Sequence, residues 1–391
     1  MKRTISAILV LTLLAALLCG CSGSEVRNYT DPTDAPAEET DDPAEVTEAP
    51  AEDDGIPDYT YAYEKYAPDT VVMTVDGEPV YWDEYFYWMM DAMYLVAYYY
   101  DYVTDWNAAC AFDSSMTYDE YIGQYANSTV KMYHSMENKA KELGITMTDE
   151  NNAYIDELWQ QDVENVGSEE DLIERIKQVY LTKDLYYYIN TISVLADSTF
   201  NELYGEAGEK LSEEDIINYG KDSGYIRVKH ILFKTTDDEG NTLTDEEVAE
   251  KKKNAEEVLA QLASAGSSEE LETLFDQFMN EYSEDTGLTV YPDGYCFTTG
   301  DMVEEFMTAS AALGEYELSE LVSSEFGYHI ILRLPLRTAD VPINDGTNDL
   351  RYLAASDMFN SNVESWAEEA EVVWAEGFED ITPAKIFAVS E

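Results

Sequence analysis

The order of hydrophobic and polar residues divides the chain into a helical part and a part that mixes strands with helices. In "VVMTVDGEPV", two short apolar runs flank Asp76-Gly77, which predicts a β-hairpin. Most of residues 68–222 carries helix-type patterns, with capping signals at several helix starts. The capping pairs are Thr117 with Glu120, Ser168 with Asp171 and Ser212 with Asp215.

Residues 225–336 follow a different pattern. "YIRVKHILFK" alternates between two faces, so Val228 and His230 share one face of a predicted strand. "FGYHIILRL", which contains His329, predicts another strand at the end of the segment. The order of elements is strand, two helices, short strand, helix and two strands. The sequence therefore predicts an α+β domain with a small mixed sheet.

The helices of this segment have recognisable starts. Thr244 and Ser267 are expected to cap the two helices that follow the first strand. Asp301 is expected to cap a short helix that carries Met302 and Phe306 one turn apart.

The carboxyl-terminal tail returns to a helical pattern and ends with "AEVVWAEGFEDI", which predicts a terminal strand. We expect this tail to pack on the amino-terminal helical part, so that the two form one mainly α-helical domain around the α+β insert. The predicted segments are a signal peptide (1–21), an acidic tether (22–58), an amino-terminal helical domain (59–222), the α+β domain (225–337) and a carboxyl-terminal helical segment (338–391).

The first residues resemble an export signal. Lys2 and Arg3 precede the apolar run "AILVLTLLAALL", which is typical of a signal peptide. The following "LCGC" is similar to a bacterial lipobox, which implies cleavage before Cys21 and a diacylglycerol on its sulfur; a plain signal peptide is the alternative. Two acyl chains suffice for stable membrane attachment. Residues 22–58, rich in Asp, Glu, Pro, Ala and Thr, are predicted to be disordered.

Composition narrows the possible partners. Acidic residues outnumber basic ones 82 to 22, which gives a net charge of -60. Such a surface repels phosphate backbones, so nucleic-acid binding is excluded. Cys110 and Cys296 could pair, although two separate thiols are the simpler interpretation. No Cys/His spacing resembles a zinc site.

The aromatic stretch "YWDEYFYWMMDAMYLVAYYYDY" is interrupted by acidic residues, so we predict a soluble helix rather than a membrane span. Its tyrosines have two interpretations, ordinary helix packing or a surface that binds varied polypeptides. Packing is the simpler of the two. The tyrosines concerned are Tyr85, Tyr87, Tyr94, Tyr98, Tyr99 and Tyr100.

His230 and His329 are two of only three histidines, and each lies in a predicted strand of the same small domain. If the strands are neighbours, the two imidazoles can meet near the centre of the sheet. Buried imidazoles require hydrogen-bond partners. The pair is therefore either a structural contact within the sheet or part of a catalytic site, and position alone favours neither.

Several motifs resemble the parvulin-type peptidyl-prolyl isomerases. They are "VKHILF", "NEYSEDTG", "CFTTGDMVEEF", "LGEYELSELV" and "FGYHII", in the order and spacing of that family and over about 112 residues. The lipobox, the acidic tether and the flanking helical parts resemble extracytoplasmic foldases of the PrsA/SurA type. "VDGEPVYWDEYFYWM" is similar to the opening of their amino-terminal chaperone domain.

The resemblance implies a set of site residues. His230, Asp285 and His329 match catalytic positions of the family, and Cys21 matches the lipidated cysteine. The positions that match substrate-binding residues are Met302, Phe306, Phe326 and Ser283.

The resemblance also implies an activity and a location. The expected protein is a foldase anchored outside the cytoplasm by the lipid on Cys21, which isomerises X-Pro bonds of unfolded or partly folded exported proteins. Because rotation about an amide breaks no bond to carbon, no cofactor and no metal is needed.

Two stretches depart from the family pattern. Where many members have Gly-Gly-Asp-Leu-Gly before the Phe that matches Phe297, this chain has "YPDGYCF", so that Gly294 or Tyr295 replaces the pocket leucine. Phosphate-directed parvulins carry a basic cluster after the first His strand. Here that loop is "KTTDDEGNTLTDEE", which predicts no preference for phosphopeptides.

Three other functions are alternatives to a prolyl isomerase. The alternative is a binding chaperone, or holdase, with a weak or inactive parvulin domain. A solute-binding lipoprotein would share the anchor and tether, but no two-lobed α/β pattern is present. A serine hydrolase would need a G-x-S-x-G elbow, which the chain lacks.

Overall fold

The computed structural model describes residues 57–237 and 239–388. The predicted signal peptide, Cys21 and the predicted tether up to residue 56 lie outside these described residues. The described chain divides into two compact units. The helical unit comprises the described residues up to Thr199 together with those from Asn362, and the α+β unit is Phe200–Ser361.

The elements follow one another in the order helix, hairpin, helices, α+β segment and tail. The helices are α1 (Thr60–Tyr63), α2 (Trp82–Tyr99), α3 (Tyr118–Glu142), α4 (Asp149–Val166), α5 (Glu169–Lys177), α6 (Lys183–Tyr204), α7 (Glu213–Asp222), α8 (Asp245–Leu262), α9 (Ser268–Tyr282), α10 (Glu304–Ala312), α11 (Leu350–Glu369) and α12 (Pro383–Ile386). The strands are β1 (Val71–Val75), β2 (Glu78–Tyr81), β3 (Ile226–Lys234), β4 (Tyr295–Phe297), β5 (Val322–Ser324), β6 (Gly327–Leu334) and β7 (Val372–Trp374).

A small antiparallel sheet of order β2-β1-β7 belongs to the helical unit. The predicted hairpin about Asp76-Gly77 is confirmed. Both turn residues have positive φ, 51° and 86°, as the tight turn of a two-residue hairpin requires. Asp76 also accepts a hydrogen bond from the Glu371 amide at 2.8 Å, which joins the turn to the chain just before β7.

Helix α2 is buried on all sides in its first half and emerges in its second half. Tyr85 and Tyr87 are therefore core residues, 1% and 4% exposed. At the far end, Tyr98, Tyr99 and Tyr100 are 78%, 58% and 51% exposed. The idea that all these tyrosines share one working surface is wrong for the first two, because burial depends here on position along the helix. Within the described part of the chain, no helix is long and apolar enough to cross a bilayer.

The third histidine, His134, was not assigned a role from the sequence. It lies in α3, buried against Glu84 of α2, with His134 Nε2 3.1 Å from a carboxylate oxygen. The two residues are each about 5% exposed. This pair joins two core helices. Its members are 50 residues apart in the chain, and the hydrophobic pattern does not predict their contact.

The α+β unit contains a sheet of order β4-β3-β6-β5. The predicted α+β class is confirmed, but the sheet is antiparallel between all its named strands rather than mixed. Two helices, α8 and α9, connect β3 to β4. A chain that passes through two helices reverses direction three times, so β4 returns antiparallel to β3, whereas a single crossover helix reverses it twice and makes the strands parallel.

The two faces of this sheet have different functions in the fold. Ile231 and Phe233 point from β3 to one face, where they pack in a core with α8 and α9. Val228 of β3 and Ile331 of β6 point to the other face and pack with Phe306 of α10. His230 and His329 belong to this second face, because side chains alternate along each strand.

The predicted caps of α8 and α9 are confirmed, since Thr244 and Ser267 each accept a hydrogen bond from a first-turn amide. The cap predicted at Asp301 is wrong. Helix α10 begins after Val303, which has no side-chain cap. Asp301 instead accepts the Thr298 amide at 2.7 Å and closes the preceding turn, so Met302 lies just outside the helix.

Cys110 and Cys296 are free and buried, as the simpler of the two interpretations predicted.

Candidate active site

Two imidazoles meet at the centre of the α+β sheet. In the register of β3 and β6, His230 lies opposite Ile331 and His329 lies opposite Leu232, so the two histidines are diagonal neighbours. Their Nδ1 atoms are 3.2 Å apart, and their rings are nearly parallel with centroids separated by 5.4 Å. Both are buried, at 6% and 3% exposure. The predicted meeting of the two histidines is confirmed.

The loop after α9 brings Asp285 to the histidines. Ser283 accepts a hydrogen bond from the Leu232 amide at 3.1 Å, and the Glu284 amide donates to the Leu232 carbonyl at 2.8 Å. These bonds attach the loop to β3. As a result, Asp285 Oδ2 lies 2.7 Å from His230 Nε2. Ser283 thus holds the loop in place, a contact that its assignment to substrate binding did not anticipate.

The Asp285 carboxylate has two further donors. The Tyr295 hydroxyl donates to Oδ2 at 2.6 Å, and the Gly287 amide donates to Oδ1 at 2.9 Å. Burial by itself would raise the pKa of Asp285, but the hydrogen bonds from His230 and Tyr295 outweigh it and hold the pKa well below its ordinary value. Asp285 is therefore an anion at neutral pH.

Ser324 completes the network on the other side. Its Oγ lies 2.7 Å from His329 Nε2. One assignment of protons satisfies every member: the Ser324 hydroxyl donates to His329 Nε2, His329 Nδ1–H donates to His230 Nδ1, and His230 Nε2–H donates to Asp285. Burial, followed by the nearby His230, lowers the pKa of His329 to about 4, which agrees with a neutral ring.

Ser324 and Tyr295 are site residues that sequence reasoning did not assign. The position of Ser324, on the strand that forms a hairpin with β6, was the available signal, because it lies diagonally across that hairpin from His329, whose direct partner is Val322. For Tyr295, the available signal was that "YPDGYCF" departs from the family pattern at this position. Of the two residues considered there, Tyr295 packs in the apolar cluster of Phe306. Gly294 has φ 94°, and a Cβ on it would come within 2.3 Å of the Val228 carbonyl.

An apolar cluster adjoins the network. The Phe306 ring contacts both imidazoles edge-on, with centroids 5.0 Å from His230 and 5.3 Å from His329. Met302 is partly buried and packs on the same cluster. Phe326 is not part of it: this side chain is 50% exposed. Its backbone amide does donate to Ser324 Oγ at 3.2 Å, so Phe326 stands beside the network and not in the cluster.

The arrangement presents a fixed negative charge beside an apolar cluster. Within the described residues, no group of three or more His, Cys, Asp or Glu side chains is placed to hold a metal. The chemical resources of the site are a half-buried carboxylate, two imidazoles and a hydroxyl, joined by hydrogen bonds next to Met302 and Phe306.

Comparison with known proteins assigns the domain. Residues 230–334 match the Rotamase family model, described as the PPIC-type PPIASE domain. These residues belong to the parvulin-type family. The matched range contains every residue of the hydrogen-bond network, from His230 in β3 to His329 in β6, together with Met302 and Phe306.

The chain also has a curated relative. Foldase protein PrsA 1 of Bacillus cereus is 38% identical over 130 residues, which is 32% of this chain. The chain spans 37% of the length of that relative in the match, so the likeness concerns part of each protein.

Two solved structures have a lower sequence identity to this chain than the curated relative, but they cover a larger share of it. PrsA of Bacillus subtilis is 22% identical, with 63% of this chain and 82% of that chain covered and a TM-score of 0.23. The Bacillus cereus structure named peptidylprolyl isomerase (PrsA) is 20% identical, with 66% and 90% covered and a TM-score of 0.26. Scores this low do not establish a common arrangement of the whole chain.

Proposed function

We propose that the parvulin-type domain catalyses cis–trans isomerisation of X-Pro bonds in protein substrates, and that the chain acts as a foldase. The observation that carries this proposal is the Asp285–His230–His329 network lying against Phe306 and Met302 within the residues that match the family. The name of the curated relative, a foldase, supports polypeptides as the substrate class.

The barrier to amide rotation, about 18–20 kcal/mol, comes from the partial double bond between carbon and nitrogen. Catalysis requires the enzyme to bind the twisted amide more tightly than either planar form. In this proposal Met302 and the edge of Phe306 hold the proline ring and exclude water. The Asp285 anion, held through His230, disfavours negative charge on the amide oxygen and thereby weakens the resonance that resists rotation.

The direct test is exchange NMR of an Ala-Pro peptide with the purified chain and with Met302→Ala. We expect kcat/KM to fall by about tenfold in this variant, since a side chain of this kind contributes roughly 1–2 kcal/mol when it contacts a ligand. Met307→Ala is the matched control. Met307 packs on the same cluster but is turned to the Gly300 amide, so its loss should leave kcat/KM nearly unchanged.

Equal losses in the two methionine variants would argue against the assigned pocket. A folded chain that leaves the exchange rate of the peptide at its uncatalysed value would remove the isomerase proposal itself.

We further propose that the chain works outside the cytoplasm and is held at the membrane by a lipid on Cys21. The lipobox-like "LCGC" is the support for this part of the proposal. Metabolic labelling with an alkyne-tagged fatty acid should mark the protein, and Cys21→Ala should abolish the label. Labelling that persists in Cys21→Ala would contradict the anchor.

We also propose no preference for phosphopeptides. The loop that follows β3 contains Asp237 and Glu239, both of which are solvent-exposed, and the first turn of α8 is acidic as well. Charges of this sign oppose a phosphate near the site. A Ser-Pro peptide and its phosphorylated form should therefore be compared by exchange NMR, and faster isomerisation of the phosphorylated form would refute this point.

A second function, binding of unfolded chains, is favoured by a separate observation. Tyr98, Tyr99, Tyr100 and Phe112 form an exposed aromatic cluster in the helical unit. Phe112 is in ring contact with Tyr99 at 5.8 Å and with Tyr100 at 5.1 Å. Exposed tyrosines provide apolar contact with a polar tip, which suits weak binding of varied polypeptides.

The two functions can be separated with one variant. Replacing Tyr98, Tyr99 and Tyr100 by Ser should reduce suppression of aggregation of a denatured test protein and leave peptide isomerisation unchanged. Replacing the buried Tyr85 instead would test folding and not binding, so it is unsuitable as a control. Unchanged suppression of aggregation in the triple variant would exclude this cluster as the binding surface.

A further inference from the structure

The Tyr295 hydroxyl reaches the network from the edge strand β4. It donates to Asp285 Oδ2 at 2.6 Å, the same oxygen that lies 2.7 Å from His230 Nε2. The other oxygen accepts the Gly287 amide at 2.9 Å. Three donors therefore converge on one carboxylate, and they fix both its position and the direction of its oxygens.

The Tyr295 hydroxyl occupies the space that a side chain at position 287 would need. A Cβ placed on Gly287 would come within 2.1 Å of the Tyr295 hydroxyl oxygen and within 3.2 Å of the ring carbon that bears it. Any side chain at position 287 would thus displace the hydroxyl. The glycine is needed for this space and not for an unusual backbone, because its φ is outside the left-handed region.

The ring of Tyr295 is held as firmly as its hydroxyl. It is 8% exposed and belongs to the apolar cluster of Phe306. Its centroid is 5.4 Å from the His230 ring in an edge-to-face arrangement and 5.2 Å from the Tyr291 ring. Such contacts restrict the ring to one orientation, which keeps the hydroxyl aimed at Asp285.

We propose that Tyr295 is a positioning residue of the site: through the space left by Gly287, its hydroxyl holds the Asp285 carboxylate against His230. This inference rests on the proposed isomerase function. Three donors leave the carboxylate about one free acceptor position, and the proposal has Asp285 act on the substrate through His230. The arrangement belongs to the stretch "YPDGYCF", in which this chain departs from the pattern expected of parvulins.

The first test compares Tyr295→Phe with Tyr291→Phe in the full chain. Tyr295→Phe removes only the hydroxyl, and we expect kcat/KM for an Ala-Pro peptide to fall by roughly tenfold, with KM little changed, since a bond to a charged group is lost. Tyr291 is the matched control, because its hydroxyl donates to the Ile343 carbonyl at 3.3 Å and not to Asp285. Tyr291→Phe should retain the wild-type kcat/KM.

A second readout does not depend on activity. Carbon-13 NMR of the Asp285 carboxyl group, followed through a pH titration, should show a higher pKa in Tyr295→Phe than in the wild type, because a hydrogen bond to the charged form is lost. Tyr291→Phe should leave that pKa unchanged. An unaltered Asp285 titration in Tyr295→Phe would overturn the positioning role.

The third test uses the fit between Gly287 and Tyr295. Gly287→Ala in the wild type should displace the hydroxyl and lower kcat/KM about as much as Tyr295→Phe does. In the Tyr295→Phe background the same alanine meets only the ring edge, so the double variant should be no worse than either single one. Additive losses would show that the two residues act independently and would refute the proposal.

Failure of this inference and failure of the proposed function give different results. A wild-type chain without isomerase activity would remove the proposed function, while the Asp285 titration would still report whether Tyr295 holds the carboxylate. An active wild type, with Tyr295→Phe equal to it in both kcat/KM and Asp285 titration, would remove the inference alone.

Discussion

Among the described residues, the hydrogen-bond partners of the His329 ring are His230 and the Ser324 hydroxyl, and neither is a carboxylate. His230, by contrast, faces the Asp285 anion. The two imidazoles are therefore not equivalent. Because His329 is 3% exposed and lies next to a second imidazole, its charged form is disfavoured and its pKa is lowered to about 4.

This shift predicts a pH-dependent contribution of His329 to stability. The pKa of His329 is about 4 in the folded chain against an ordinary value of 6.5, so its contribution is complete above 6.5. As the pH falls through that window, the unfolded chain binds a proton that the folded chain does not, and stability decreases. The loss amounts to about 2–3 kcal/mol between about pH 7 and about pH 4.5.

The measurement is urea unfolding of the wild type and of His329→Gln across this pH range. The free-energy difference between the two proteins should shift in favour of the variant as the pH falls, because glutamine does not titrate. A difference that stays constant over the range would mean that His329 is charged in the folded chain or is not buried.

At the scale of single elements, the β1–β2 hairpin shows how a short turn determines the position of distant residues. Asp76 and Gly77 adopt positive φ, and Asp76 bonds the Glu371 backbone next to β7. The turn thus contributes both to the hairpin and to the third strand of the small sheet. A change at Gly77 affects the backbone alone, since no atom lies within 4 Å of the Cβ it would carry.

We predict that Gly77→Ala destabilises the helical unit by about 1 kcal/mol, because alanine disfavours a left-handed backbone. Gly77→Asn should cost less, although asparagine is larger, because it tolerates that conformation. Thermal unfolding of the two variants measures which of them is the more stable. If the asparagine variant were the less stable of the two, crowding and not backbone conformation would be the cause.

At the scale of the whole molecule, charge is the dominant property. With 82 acidic and 22 basic residues, the chain repels itself in the folded state more strongly than a balanced protein does. Several basic side chains are used locally, as in the buried Lys229, which is 3.1 Å from Glu272 beneath the sheet. Local pairs of this kind leave the overall excess of negative charge in place.

We therefore predict that salt stabilises the protein near neutral pH. Raising NaCl from about 0.01 M to about 0.1 M shortens the screening length from about 30 Å to about 10 Å, so repulsion between distant carboxylates is reduced. The melting temperature should rise by about 2 °C or more.

The control for this prediction is the same salt series at about pH 4, where many carboxylates are protonated. The effect of salt should be much smaller there. A melting temperature that does not depend on salt near neutral pH would show that self-repulsion does not limit the stability of this chain.

Local patterns in the chain were enough to predict most of the elements and the candidate chemistry, because those features depend on neighbouring residues. Asp76-Gly77 predicts its own turn, Thr244 caps its own helix, and alternation along β3 assigns His230 to one face. The motifs around His230 and His329 were sufficient to indicate the parvulin-type family, and the two imidazoles do meet.

Features that depend on contacts between distant segments became visible in the folded chain alone. Strand direction in the sheet, the exposure of Phe326 and the burial of Tyr85 each depend on packing that no local pattern records. The same is true of the Tyr295–Asp285 bond, which needs the space over Gly287. Local propensity specifies an element, whereas a hydrogen bond between elements requires three-dimensional proximity that several segments create together.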